Sequence, residues 1–107
     1  MEPDRLMLKL LPLLIRKANA DGLRLSIDLP PQILRADHVV TLETQPLSLQ
    51  DTLDLVHSIT PNHNQTELAD DGRTRFDFKL PENLWIKVSI SGVAGDFLVK
   101  ACQLSEH

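Results

Sequence analysis

The sequence has a single cysteine, no glycine-rich loop, no surplus of positive charge and no apolar run long enough to cross a bilayer. Each absence excludes something. Cys102 has no second cysteine for an internal disulfide, so nothing points to an oxidising compartment. The four glycines, Gly22, Gly72, Gly92 and Gly95, do not fall in a Gly-x-x-x-x-Gly-Lys-Ser/Thr loop, whose backbone amides and lysine would hold phosphates. A net charge of -4 argues against nucleic acid as the main partner, because phosphate binding calls for a basic surplus or stripe. The apolar "LMLKLLPLLI" from Leu6 to Ile15 is interrupted by Lys9 and Pro12, has Asp4 in its flank and lacks a small-residue cleavage site. It reads as a core helix of a cytoplasmic protein, not as a signal peptide or a membrane span.

What is present is a chain of ordinary domain size. Its 107 residues, 42% apolar and 24% charged, suffice for one core and one globular domain, residues 1–107, and leave no room for a separate catalytic domain. Leu6, Leu10, Leu13, Leu14 and Ala18 recur at helical spacing and predict a helix from Asp4 to Ala20, kinked or restarted at Pro12 and stopped by "ADG" at Ala20 to Gly22. Leu23, Leu25 and Ile27 then alternate with Arg24, Ser26 and Asp28, the period of a half-buried strand. Pro30 and Pro31 end it, since neither can donate to a ladder. Gln32 to Ala36 and Val39 to Glu43 follow as an antiparallel hairpin.

Ser48 with Asp51 three residues later approximates a capping box, opening a helix whose apolar face is read as Leu47, Leu49, Leu53 and Val56. Thr60-Pro61 ends it and starts a short second helix through "NHNQTELAD", with Thr60 as cap and Pro61 at the first helical position. Three strands close the chain: Arg73 to Leu80, Leu84 to Ser91 and Phe97 to Leu104, separated by "PEN" and "GVAG". The order α-βββ-α(α)-βββ predicts an α+β fold, a mainly antiparallel sheet of about six strands with two to three helices on one side.

Over about Leu13 to Leu104 the residues resemble the N-terminal, PAS-like domain of the type IV pilus twitching-motility and type II secretion ATPases. The stretches that carry the resemblance are "GLRLS" at Gly22, "LPPQILRADH" at Leu29, "QPLSLQDTLDLV" at Gln45, "RFDFKLPENLWIKVS" at Arg75 and "FLVKACQL" at Phe97, persuasive through their order and spacing. In that family a nucleotide-binding core follows the domain. This chain ends where that core would start, so the resemblance implies no ATP hydrolysis by this chain, no catalytic residue and no cofactor, while Met1 and the capped ends suggest a whole gene product. Arginines on the last strands of the family domain reach the nucleotide held by the core; the aligned positions here are Lys87 and Lys100, which keep the charge and lose the bidentate fork. The acidic and histidine positions of the first strand fall on Gly22 and Arg24, and the register around Arg35 needs one extra residue. The scaffold is therefore expected to persist with its nucleotide-sensing role lost or altered.

The remaining chemical candidates read as structural. His57 and His63 are six residues apart and do not share a helix face, and with His38 and His107 they lack accompanying cysteines, so no metal is expected. Asp70 and Asp71 in "ADDGR" read as a loop before a strand; Ser26, Ser89 and Ser91 have no nucleophile-elbow context. Cys102 reads as a small core residue. Trp85 shares its strand phase with Lys87 and faces away from Ile86, Val88 and Ile90, as a boundary residue or as a contact anchor. Arg73, Arg75, Lys79 and Lys87 form either a solvated sheet face or, with Trp85, a docking surface for an acidic partner or a phosphate.

Two function classes follow. The first is a non-catalytic interaction or regulatory module whose partner is a pilus or secretion ATPase, another protein or a second copy of itself. The second is a PAS-like small-ligand sensor, which requires a cavity between sheet and helices.

Overall fold

The computed structural model describes residues 3–16, 20–35 and 38–104. Its elements are α1 (Pro3–Arg16), β1 (Ala20–Ser26), β2 (Gln32–Arg35), β3 (Val39–Thr41), α2 (Leu49–His57), α3 (Asn62–Asp71), β4 (Arg73–Leu80), β5 (Leu84–Val93) and β6 (Asp96–Gln103), with one 3₁₀ turn at Pro81–Asn83. This is the expected α+β order, α-βββ-αα-βββ. The six strands form one antiparallel sheet in the order β3-β2-β1-β6-β5-β4, so the last strand of the chain lies at the centre, beside the first.

Period-two alternation decides which face is buried. Leu23, Leu25, Ile33, Phe76, Leu80, Ile86, Val88, Ile90, Phe97 and Val99 point to one side and are buried there under the helices. From α1 the stripe that meets them is Met7, Leu10, Leu11 and Leu14, at i, i+3, i+4 and i+7. Leu6 and Leu13, which the spacing puts on the apolar face, are half-buried. The helix runs unbroken through Pro12. Among the described residues, no helix is long and apolar enough to cross a membrane.

The main differences from the sequence reading each have a local reason. "ADG" is the start of β1, not the stop of α1, and Gly22 serves the sheet: a Cβ there would lie 3.1 Å from both the Val99 carbonyl oxygen and Leu98 Cδ1. The expected continuation of the first helix to Ala20 is therefore wrong, and Lys17 and Ala18 fall outside the described residues. Thr60 does not cap α3; its hydroxyl turns back and donates to the Val56 carbonyl at 2.6 Å, and Pro61 takes the N-cap position. "ADD" is the last turn of α3, closed at Gly72, so Asp70 and Asp71 are helical. In α2 the buried set is Thr52, Leu55 and Val56, with Leu47 before it and Ile59 after it, while Leu49 is 49% exposed.

The capping box of α2 is formed as the sequence indicates. The Ser48 hydroxyl oxygen accepts from the Asp51 amide at 3.1 Å, and the Asp51 carboxylate accepts from the Ser48 amide at 2.9 Å. Ser48→Ala removes one of these bonds and is expected to lower unfolding stability by about 1 kcal/mol in urea denaturation.

Candidate interaction surface

The helices cover one face of the sheet; the other face carries the polar residues that the same alternation turns outward. Its geometry follows from strand register. Arg75 pairs with Ser89 and Ser89 with Lys100, so these three stand side by side across β4, β5 and β6. In the neighbouring row Arg73 pairs with Ser91 and Ser91 with Leu98. With neighbouring strands about 4.8 Å apart, the arginines on β4 and the lysine on β6 start roughly 10 Å from each other. Between them the short side chains of Ser89 and Ser91 leave a trough. It opens into a cleft of about 510 Å³ lined by Arg73, Arg75, Ser89, Ser91 and Lys100, with Glu67 and Asp71 of α3 at its outer rim.

The charges on this face are not equivalent. Lys87 lies opposite Asp77 in the β4–β5 register and meets it at 3.5 Å. Arg24 meets Asp96 at 3.5 Å, and Asp96 also accepts from the Ser26 hydroxyl at 3.0 Å. These pairs are half exposed and add little stability, but they neutralise Lys87 and Arg24 locally. Among the described residues, Arg73, Arg75, Lys79 and Lys100 make no ion pair. From Ala36 to Gly72 the sequence contains no lysine or arginine, so the cations of the second half of the chain all lie on β4, β5 and β6. Arg73 and Arg75 offer planar forks that match a carboxylate, and Lys100 offers a mobile point charge.

The basic strip read from the sequence is therefore divided. Arg73 and Arg75 line one cleft, where the third cation is Lys100, while Lys87 stands beyond it against Asp77. Lys79 lies opposite Trp85 at the far end of β4 and β5, and Trp85 is 49% exposed on the outer face, as its phase indicated. Ser89 and Ser91 form the floor of the trough and share their strand phase with Lys87, the one sign in the sequence that they face outward. Cys102 is corrected from core to surface: it is exposed, because it follows Lys100 by two residues on β6 and points the same way. His38, His57 and His63 are exposed, and His107 lies outside the described residues. Among the described residues, no three His, Cys, Asp or Glu side chains come together to hold a metal.

A network behind the trough fixes α3 to the edge strand. Asn64, 5% exposed, donates from Nδ2 to Thr74 Oγ1 at 2.8 Å and to the Arg75 carbonyl at 3.1 Å, and Thr74 donates to Glu67 at 2.6 Å. It holds the backbone that carries Arg73 and Arg75. On the helical side a smaller apolar hollow of about 250 Å³ lies between α2, α3 and the β5–β6 turn, lined by Leu53, Leu68, Val93 and Phe97.

No family model and no curated protein matches the sequence. Solved structures do match the fold. The pilus retraction motor PilT, solved with bound ADP, superposes with a TM-score of 0.65 at 18% identity, covering 94% of this chain and 29% of the motor. The Legionella pneumophila ATPase DotB gives 0.61 at 17% identity, covering 92% and 28%. The chain thus spans less than a third of the length of either ATPase, and the portion matched is consistent with the N-terminal domain alone.

Proposed function

We propose that this domain is a non-catalytic interaction module of pilus or secretion ATPase type, which docks a protein partner on the open face of its sheet. The observation that carries the reading is the asymmetry of the sheet: three helices cover one face, and the other presents a half-exposed tryptophan and cations that make no ion pair among the described residues. Such residues anchor interfaces, because an aromatic ring contributes area at little entropic cost and arginine contributes directed hydrogen bonds. The likeness to two ATPases supports a pilus or secretion ATPase, or a second copy of the chain, as partner, and a cytoplasmic place of work. A nucleotide-sensing role is disfavoured: Lys87 is tied to Asp77, and neither Lys87 nor Lys100 has the arginine fork. A ligand-sensing role is the second reading: it would use the apolar hollow of about 250 Å³ on the helical side, which is smaller than the roughly 300–1,000 Å³ of ordinary ligand pockets and has His57 and Gln65 as its polar side chains.

Sedimentation velocity of the protein with a purified pilus or secretion ATPase from the same cell tests the reading. A complex is expected in the micromolar range, weakened roughly tenfold by Trp85→Ala. A protein that stays monomeric and binds no such ATPase overturns it.

A further inference from the structure

We infer that the trough over β5 receives an extended, acidic segment of a partner protein, with an apolar residue of that segment resting on Trp85. The inference rests on the docking reading and adds the chemistry and shape of the occupant.

Shape comes from the register. The floor is one strand wide, and the cations that wall it lie on the strands immediately either side. A helix, about 10–12 Å across with its side chains, is too broad to sink between walls whose Cα atoms are roughly 10 Å apart. An extended chain fits along the strand direction, with alternate side chains turned to the wall and to solvent. The Ser89 and Ser91 hydroxyls are available to its backbone groups.

Charge sets the composition. Arg73, Arg75 and Lys100 converge on the trough without an ion pair among the described residues, and the acidic residues on its rim belong to α3 at one side. Carboxylates two residues apart on an extended chain are about 7 Å apart, the same spacing as Arg73 and Arg75 on β4. A second copy of the chain pairing edge to edge through β4 suits this less well. Register that sets Arg75 against Asp77 of the other copy also sets Arg73 against Lys79, so the favourable and unfavourable contacts offset each other.

Trp85 sets the end of the site. It lies on the floor strand four residues from Ser89, about 13 Å along, beyond the neutralised Lys87–Asp77 pair. The occupant therefore carries its acidic residues at one end and an apolar residue roughly four positions away.

The protein supplies its own reporter, since Trp85 is its only tryptophan and it has no tyrosine. Fluorescence is followed while the protein is titrated with a synthetic peptide of alternating glutamate and glycine closed by a phenylalanine. A saturable blue shift is expected, weakened at least ~10-fold by the double variant Arg73→Glu/Arg75→Glu, by Lys100→Glu, or by replacing the glutamates with glutamines. Lys9→Glu, on the exposed side of α1, controls for net charge and should leave binding within about twofold. Circular dichroism of each variant establishes that it is folded. The inference is overturned if pyrophosphate binds as tightly with the same dependence on these cations, or if the peptide binds with no dependence on them. It is also overturned if the peptide-free protein self-associates through the same residues and excludes the peptide. Failure of the peptide while the charge-reversed variants still abolish ATPase binding removes this inference and leaves the docking reading standing; failure of both removes both.

Discussion

Gly92→Ala is expected to lower unfolding stability by about 3 kcal/mol, a large share of what a small domain possesses. Gly92 lies in β5, just before the tight turn into β6, with φ at 114°, a region that side chains rarely adopt. A Cβ built there falls 2.2 Å from the Asp96 carbonyl oxygen and 3.2 Å from Phe97 Cα. Both neighbours are backbone of the paired strand, so no rotamer change relieves the overlap and the hairpin itself must open. That hairpin joins the two strands that carry the floor and one wall of the trough. Gly95 provides the contrast: its nearest obstruction is the Ile27 Cδ1 atom at 2.6 Å, the end of a side chain that can turn aside. Gly95→Ala is expected to cost less, about 1–2 kcal/mol, chiefly from its φ of 91°. Urea denaturation followed by Trp85 fluorescence measures both. A loss below about 1 kcal/mol for Gly92→Ala would show that the β5–β6 crossing is not as close as described.

Leu55→Ala is the second large effect, expected to cost about 3 kcal/mol, against less than about 1 kcal/mol for Leu49→Ala on the same helix. Leu55 has no exposure and sits in the core with Val56 and Leu47, while Leu49 is half in solvent. Truncating the first leaves a cavity among packed neighbours; truncating the second uncovers surface already wet. The pair also separates two readings of one segment. Periodicity alone accepts Leu49, Leu53 and Val56 as the apolar face as readily as Thr52, Leu55 and Val56, and a loss at Leu49 as large as that at Leu55 would favour the first of these.

That ambiguity shows why some of the fold was legible and some not. The strands β4, β5 and β6 are written in alternating apolar residues, and one buried face of a sheet admits only one phase. Ser48 and Asp51 announce α2 because a capping box is a local arrangement. Around α2, however, leucines stand on several sides, and only the way the helix packs against α1 and β1 selects the set that is buried. Glycine in "ADG" suits a helix end as well as a close approach between strands, and only the position of β6 alongside selects the second.

The docking surface divides in the same way. Sequence placed Arg73, Arg75, Lys79, Trp85 and Lys87 on an outward face, because side-chain direction along a strand follows from parity. It did not place Lys100 with the arginines, nor Asp77 against Lys87. Those neighbours are set by which strands pair and in what register. By itself, then, the sequence determined the order of the elements and the inward or outward sense of most strand residues, Cys102 excepted, all of which arise from interactions between residues close along the chain. Tertiary structure alone decided that β6 inserts between β1 and β5, bringing Lys100 across from Arg75, because strand pairing joins segments far apart in sequence through backbone hydrogen bonds that are alike at every residue.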